Sequence, residues 1–323
     1  MTDISFASII VTYRCNAKCH MCYRWKEPSR PSDEIGPEIY EKLPFMNTVN
    51  VTGGEPFLRN DIEDVVGVLR KKTTRLVISS NGYFTDRILD LFKKRRDIGI
   101  RISIEGLPKA NDELRGITDG FDHGLRTLLE LARMGVKDIG FGITMSDRNA
   151  EDMIELYQLA KMMGVEYATA AVHNAFYFNK MDNSFTKPDI AIAELHKLIK
   201  ELLKSTRIKD WFRAYFNYGL INYIKGNPRL LPCEMGRDSF FLDPFGRMLP
   251  CNVLNEDMGN LRQQTFEQIW TGEQAIKVRA QARKCGKNCW MIGSVSQQIK
   301  KNILVPGIWI MKHKFLGQDI SGA

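Results

Sequence analysis

The chain has 323 residues, 44% of them apolar, and a formal charge of +8. That is enough for one large α/β domain with a smaller appendage and too apolar for a disordered chain. The positive balance is modest, spread over residues 70–72, 93–96, 197–209 and the C-terminal tail, and no basic strip interleaved with aromatics marks a nucleic-acid binder.

Seven cysteines without a signal-peptide pattern point to a reducing, cytoplasmic setting. The longest apolar run, residues 303–311, contains Pro306 and Gly307 and is too short to span a bilayer. Residues 7–12, an apolar and β-branched run, predict a buried strand. It leads into Cys15-Asn16-Ala17-Lys18-Cys19-His20-Met21-Cys22, three thiols at C-x3-C-x2-C spacing. An odd number of cysteines this close argues against a disulfide framework, so a metal is the better partner. Structural zinc normally takes four protein ligands, whereas a four-iron cluster on three thiolates leaves one iron open to an exogenous ligand.

Residues 48–52 predict a second strand ending in Gly53-Gly54-Glu55-Pro56, where glycine lets the backbone approach a ligand. Asn60, with Glu63 three residues on, predicts the cap of a helix carrying Ile62, Val65, Val66 and Leu69 on one face. Strand three is expected at 76–80, followed by the Asn81-Gly82 turn and a helix marked by Ile88, Leu89 and Phe92. Strand four, 100–105, places Ser103 and Glu105 on one side, within reach of one ligand. Arg115 is read as a loop residue. Leu125, Leu128, Leu129 and Ala132 form a helical face closed by Gly135. Residues 138–145 give strand five, and Asn149 is expected to cap a helix running to Gly164. Residues 167–172 give strand six, with its helix on Leu195, Leu198, Ile199 and Leu202. Six serial strand–helix units imply a parallel sheet with right-handed crossovers, too few for an eight-unit barrel. Ser79, Asn81, Thr144 and His173 sit at strand ends as candidates for substrate contact. His173 reads equally as a hydrogen-bonded histidine or a proton acceptor. The aromatic stretch 206–232 reads as packing between domains, with Tyr215 as a weaker pocket candidate.

Cys233, Cys251, Cys285 and Cys289 follow a C-x17-C-x33-C-x3-C pattern. Two apolar runs around Pro244-Phe245-Gly246 predict a hairpin that folds Cys251 back beside Cys233. Gly259-Asn260-Leu261, then Phe266, Ile269 and Trp270, predict a short helix returning to the last pair. A four-cysteine zinc site stays open at this point.

The first thiol triplet, its place after strand one and the Gly-Gly-Glu-Pro segment after strand two resemble the radical S-adenosylmethionine (SAM) superfamily. The resemblance implies a partial (β/α)6 TIM-like barrel with a 4Fe-4S cluster on Cys15, Cys19 and Cys22. It also implies SAM on the open iron and, after reduction, a 5'-deoxyadenosyl radical that removes a hydrogen atom from the substrate. It places Gly53, Gly54 and Glu55 at the SAM amino group, Ser103 and Glu105 at the ribose and Arg115 at the carboxylate, with Ser80 and Asn81 as further cofactor-side residues. The second cysteine set is similar to the shortened, twitch form of the SPASM domain, which implies an auxiliary 4Fe-4S cluster in a small β-hairpin and helix domain.

The expected divisions are a core of 1–205, a linker helix and auxiliary domain of 206–292, and a basic, apolar tail of 293–323. The tail is expected to pack across the barrel or the auxiliary domain, with a membrane-surface contact as the alternative. Both cysteine sets together use every thiol, leaving no hydrogen-atom donor, which favours two-electron dehydrogenation over epimerisation. Only 14 residues precede Cys15, which points to a small polar substrate, a sugar, aminocyclitol or glycan unit. A radical epimerase or peptide maturase is the alternative, and a zinc-bearing scaffold a distant third. Flavodoxin or ferredoxin is the expected electron donor.

Overall fold

Strand β1 (Ile4–Ile10) is buried along most of its length because it is sandwiched within a sheet, with a parallel neighbour on either side. In a computed structural model describing residues 4–320, it pairs with β2 (Met46–Thr52) and also with β7 (Ser239–Leu242). The first three residues, and the last three of the expected tail, lie outside the described range. The other parallel strands are β3 (Thr73–Ser80), β4 (Gly99–Ser103), β5 (Ile139–Met145) and β6 (Glu166–Ala171). A hairpin adds β8 (Arg247–Leu249) and β9 (Gly259–Asn260) antiparallel beyond β7. One sheet results, in the order β6-β5-β4-β3-β2-β1-β7-β8-β9.

The helices are α1 (Pro37–Tyr40), α2 (Ile62–Lys71), α3 (Thr85–Lys94), α4 (Pro108–Arg115), α5 (Gly120–Arg133), α6 (Met153–Met163), α7 (Pro188–Lys204) and α8 (Ile208–Ile224), then α9 (Phe266–Thr271), α10 (Glu273–Arg283), α11 (Ile292–Lys301) and α12 (Leu304–Ile310). Apolar stripes at helical spacing cover the sheet: Ile62, Val65, Val66 and Leu69 of α2 are buried, as are Ile88, Leu91 and Phe92 of α3. Their partners are the inward residues of the strands, Ile9, Val49, Val51, Ile78, Ile100 and Phe141, in one continuous core.

The six parallel strands match expectation to within a few residues at each end, and strand four stops at Ser103, leaving Glu105 in the following loop. Three local expectations change. The N-cap of α2 is Asp61 rather than Asn60, and it makes no capping bond. Its carboxylate is held by Arg59, with Nη2 at 2.6 Å. Asn149 precedes a 3-10 turn, Ala150–Asp152, and its amide nitrogen instead donates to Glu105 O at 2.6 Å and Thr144 O at 3.1 Å. It therefore straps two loops at the strand ends. Arg115 closes α4 rather than lying in a loop.

The hairpin grows from β1 as a continuation of the barrel sheet, with Ala7 beside Phe240 and Ile9 beside Leu242. The aromatic helix α8 lies against α7 and the tail: Trp290 and Trp309 stand 6.3 and 5.6 Å from Tyr215, and Trp309 stacks on Tyr218 at 5.1 Å. The tail packs as expected, with Val295 of α11 fully buried and Gly293 against the Phe6 ring of β1.

Candidate functional site

The loop carrying Cys15, Cys19 and Cys22 leaves the end of β1 and is fixed from three sides. Below it, Glu34 accepts from Thr12 Oγ1 at 2.5 Å, Ser29 Oγ at 2.6 Å and Arg14 Nη2 at 2.9 Å. On one flank, Lys18 N and His20 N donate to Arg115 O and Leu114 O at 2.9 and 2.8 Å, so carbonyls of the last turn of α4 find partners in the loop. On the other flank, Tyr23 N donates to Phe178 O at 2.7 Å. Arg24 donates to the carbonyls of Phe176 and Tyr177 and lies 4.3 Å from the Tyr13 ring centroid. Sequence reasoning missed this clamp. Its only trace there is the Phe176-Tyr177-Phe178 run just past strand six.

Gly53 and Gly54, expected to let the backbone approach a ligand, instead stand close to the chain's own backbone. A Cβ on Gly54 would stand 2.2 Å from Arg14 O, and one on Gly53 would stand 2.5 Å from Thr12 O. Gly54 N and Glu55 N donate to Thr12 O and Arg14 O, both at 2.8 Å. Glu55 is fully buried and accepts from Asn81 N at 2.7 Å, Ser80 Oγ at 2.9 Å and Phe57 N at 3.1 Å. It therefore ties the end of β3 to the end of β2. Burial pushes its carboxyl up, against the pull of those three donors. Asn81 continues the tie, its amide donating to Asn16 Oδ1 at 2.7 Å within the thiol loop.

Across the barrel mouth, Glu105 and Arg115 form a buried pair at 3.1 Å. Glu105 Oε2 also accepts from Thr144 N at 2.5 Å. Burial drives the Glu105 carboxyl upward and Arg115 opposes it. Two buried polar atoms here have no partner, Arg115 Nε and Asn16 Nδ2. Such orphans cost roughly 1–3 kcal/mol each when nothing binds them.

A single cavity of about 420 Å³ joins the two cysteine sets: all seven thiols line it, together with Gly53, Gly54, Ser79, Ser80, Asn81, Ser103, Glu105, Arg115, Thr144 and His173. Met21, Trp25, Phe178, Met235, Phe241 and Leu254 give it a largely apolar wall. His173 Nδ1 lies 3.2 Å from Ala171 O, while Nε2 is buried without a partner. Burial lowers its pKa and favours the neutral ring. Tyr215 is not a lining residue. It is 2% exposed within the α8 and tail cluster, so the near-helical aromatic spacing reflects packing.

The thiols are all free. Burial pushes Cys15 up to about 12 and both Cys22 and Cys251 up to about 11, so thiolates there need a cation. Among the described residues no three His, Cys, Asp or Glu side chains gather tightly enough for one ion. A cluster that takes one thiolate per iron spreads its ligands wider than a zinc ion does, and this cavity wall suits it.

Residues 9–160 match the radical SAM superfamily, and residues 233–290 match the SPASM iron–sulfur cluster-binding domain. The chain is therefore a radical SAM enzyme, binding SAM and a 4Fe-4S cluster in the barrel and carrying auxiliary iron–sulfur chemistry in its SPASM domain. It is similar to Fe-coproporphyrin III synthase of Methanosarcina barkeri, 24% identical over 87% of this chain and 79% of that protein. The sporulation killing factor maturation protein SkfB of Bacillus subtilis is 21% identical over 88% of this chain and 68% of its own length. The fold is shared with Streptococcus suis SuiB at a TM-score of 0.66 and 16% identity, over 91% of this chain and 72% of that one.

Proposed function

We propose that the enzyme modifies an apolar side chain of a peptide by hydrogen-atom abstraction, with the reacting carbon held between the two cysteine sets. The observation that carries this reading is the shared cavity: all seven cysteines line one space whose exposed wall is more apolar than polar, with Met21, Met235, Phe178 and Phe241 among its residues. A sugar or aminocyclitol needs convergent hydrogen-bonding groups around its hydroxyls, and several of those on this wall are already engaged within the chain, Ser79 with Asn50 and Ser80 with Glu55. The apolar part of the lining and a relative named as the maturation protein of a sporulation killing factor therefore favour the peptide over the small polar substrate expected from the short segment before Cys15.

In this reading Cys15, Cys19 and Cys22 hold the SAM-binding cluster, and Cys233, Cys251, Cys285 and Cys289 hold one auxiliary cluster. When bound, the first cluster and SAM supply the 5'-deoxyadenosyl radical. The chain's own residues position the reactants. The free Nε of Arg115 suits the SAM carboxylate. Ser103, at the end of β4, lies on the same wall for the ribose hydroxyls. The Glu105 carboxylate is taken up by Arg115 and Thr144 N, so it orients Arg115 more than it binds sugar. Gly53, Gly54 and Glu55 act by fixing the loop against β2, and Ser80 and Asn81 lock the same corner. His173, a cavity-lining residue whose buried Nε2 has no partner and whose pKa burial lowers, is a candidate proton acceptor.

A second reading, a large apolar ring bearing carboxylates, is favoured by Arg229. Both of its terminal nitrogens are buried without a partner on the same cavity wall, and one relative is named as a synthase of Fe-coproporphyrin III.

Anaerobic reconstitution should give about eight irons per chain, and dithionite should then release 5'-deoxyadenosine from SAM. Cys19→Ala should abolish that release, while Cys251→Ala should lower the iron to about four and leave the release intact. Deuterium transfer from a labelled peptide into 5'-deoxyadenosine supports the peptide reading. Transfer from a tetrapyrrole and from no peptide overturns it in favour of the second.

A further inference from the structure

The charge of the chain is concentrated at one end. Between Glu273 and Asp319 stand nine lysines and arginines and no aspartate or glutamate, against a net charge of +8 for all 323 residues. The last part of that stretch is α12 and the π turn Met311–Phe315 that continues it. One face is locked to the barrel: Pro306, Trp309 and Ile310 are buried, and Lys314 Nζ donates to Ser205 O at 3.1 Å.

The opposite face is apolar and uncovered. Leu304, Ile308 and Met311 recur at i, i+4 and i+7, one side of a helix, and are 76%, 58% and 52% exposed; Phe315 follows at 56% exposed, its ring edge to face with Trp211 at 5.7 Å. Ile303 and Leu316 extend the stripe at 54% and 66%. Scattered exposed apolar residues need no explanation, but a continuous stripe does. Beside it runs a groove lined by Lys197, Lys200 and Lys204 of α7 together with His313 and Lys314, with Glu201 and Asp319 as its acids. Glu201 is paired with Lys204. Among the described residues, Lys200, Lys300 and Lys312 enter no ion pair.

We propose that this face seats the enzyme on an anionic phospholipid surface. A wholly apolar partner would leave the lysines stranded, and a second copy related by a two-fold axis would set lysine-rimmed stripes against each other. A bilayer interface accepts both parts: the stripe enters the boundary of the acyl chains while the lysines meet phosphate headgroups. No helix among the described residues is long and apolar enough to cross a membrane, so the contact lies in the plane of the surface. The inference is independent of the substrate reading, because the stripe faces away from the helix side that packs on the barrel and its residues do not line the cavity.

The test is flotation of the reconstituted full chain with phosphatidylcholine vesicles and with vesicles also containing phosphatidylglycerol. Binding is expected to the anionic vesicles only, and to fall with added salt. Ile308→Glu should weaken partitioning at least tenfold, and Leu304→Ser and Lys312→Glu should each weaken it severalfold, with SAM cleavage unchanged in all three. The proposal is overturned by absence of binding to anionic vesicles, by binding that Ile308→Glu leaves intact, or by a dimer in light scattering that Leu304→Ser converts to monomer.

Discussion

Gly54 is where one added methyl group would do the most local damage. Its Cβ would press on the Arg14 carbonyl at 2.2 Å, and a backbone atom cannot rotate out of the way as a side chain can. Gly54→Ala should therefore cost on the order of 3 kcal/mol in urea denaturation and lower the iron retained after reconstitution. Arg115 gives a different signature. Arg115→Gln removes the charge beside Cys19 and Glu105, and isothermal titration should show SAM binding weakened about tenfold or more, with auxiliary iron unaffected. At this scale the thiols and the Gly-Gly-Glu-Pro segment were legible because their chemistry is local in sequence. Glu34, Arg59 and Tyr177 were not: Tyr177 hydroxyl donates to Gly53 O at 2.5 Å across 124 positions, and no spacing rule reaches that far. The aromatic stretch was legible as packing, and Tyr215, the weaker pocket candidate, packs with it, because helical aromatic spacing is the same for a pocket and for a core.

The start of β6 is joined to α8 by charge. Glu166 meets Lys209 at 2.9 Å, Arg207 at 3.1 Å and also Arg213, and only 18% of its side chain is exposed. Burial raises its pKa, but Arg213 and Lys209 outweigh burial and hold it at about 2. A folded pKa below the unfolded one stabilises above the unfolded value, about 4.3, and that contribution is lost as pH falls through about 2. Glu166→Gln should therefore be less stable by about 1–2 kcal/mol at pH 7, and thermal melts of the two proteins should converge near pH 2. The strands themselves were readable from β-branched runs, and the serial alternation gave their parallel order. Asn60 fails as a cap because the helix begins one residue later, at Asp61, whose carboxylate is taken by Arg59 two positions back and makes no capping bond. A local ion pair here replaces the cap that propensity favours.

For the molecule as a whole, thiols gathered on one cavity wall make folding and metal loading one equilibrium. Chelation of the reconstituted enzyme should lower its melting temperature by several degrees, because iron binds the native arrangement and not the unfolded chain. Equal melting with and without iron would show that the loops do not depend on the metal. The sheet shared by the barrel and the hairpin was the least legible feature. A cysteine pattern announces a second metal site but not that its hairpin joins the first sheet, since pairing between strands more than two hundred residues apart leaves no mark in local sequence.

That joined sheet has a mechanical consequence. The strand that launches the first thiol loop is hydrogen-bonded to the strand that opens the hairpin leading to Cys251, and neighbouring strands keep a spacing of about 4.8 Å. Clusters held by the loop after β1 and by the hairpin after β7 would therefore be carried by one sheet and not by two hinged bodies. In the proposed arrangement, the separation of the two sets of ligands would be set by that shared sheet.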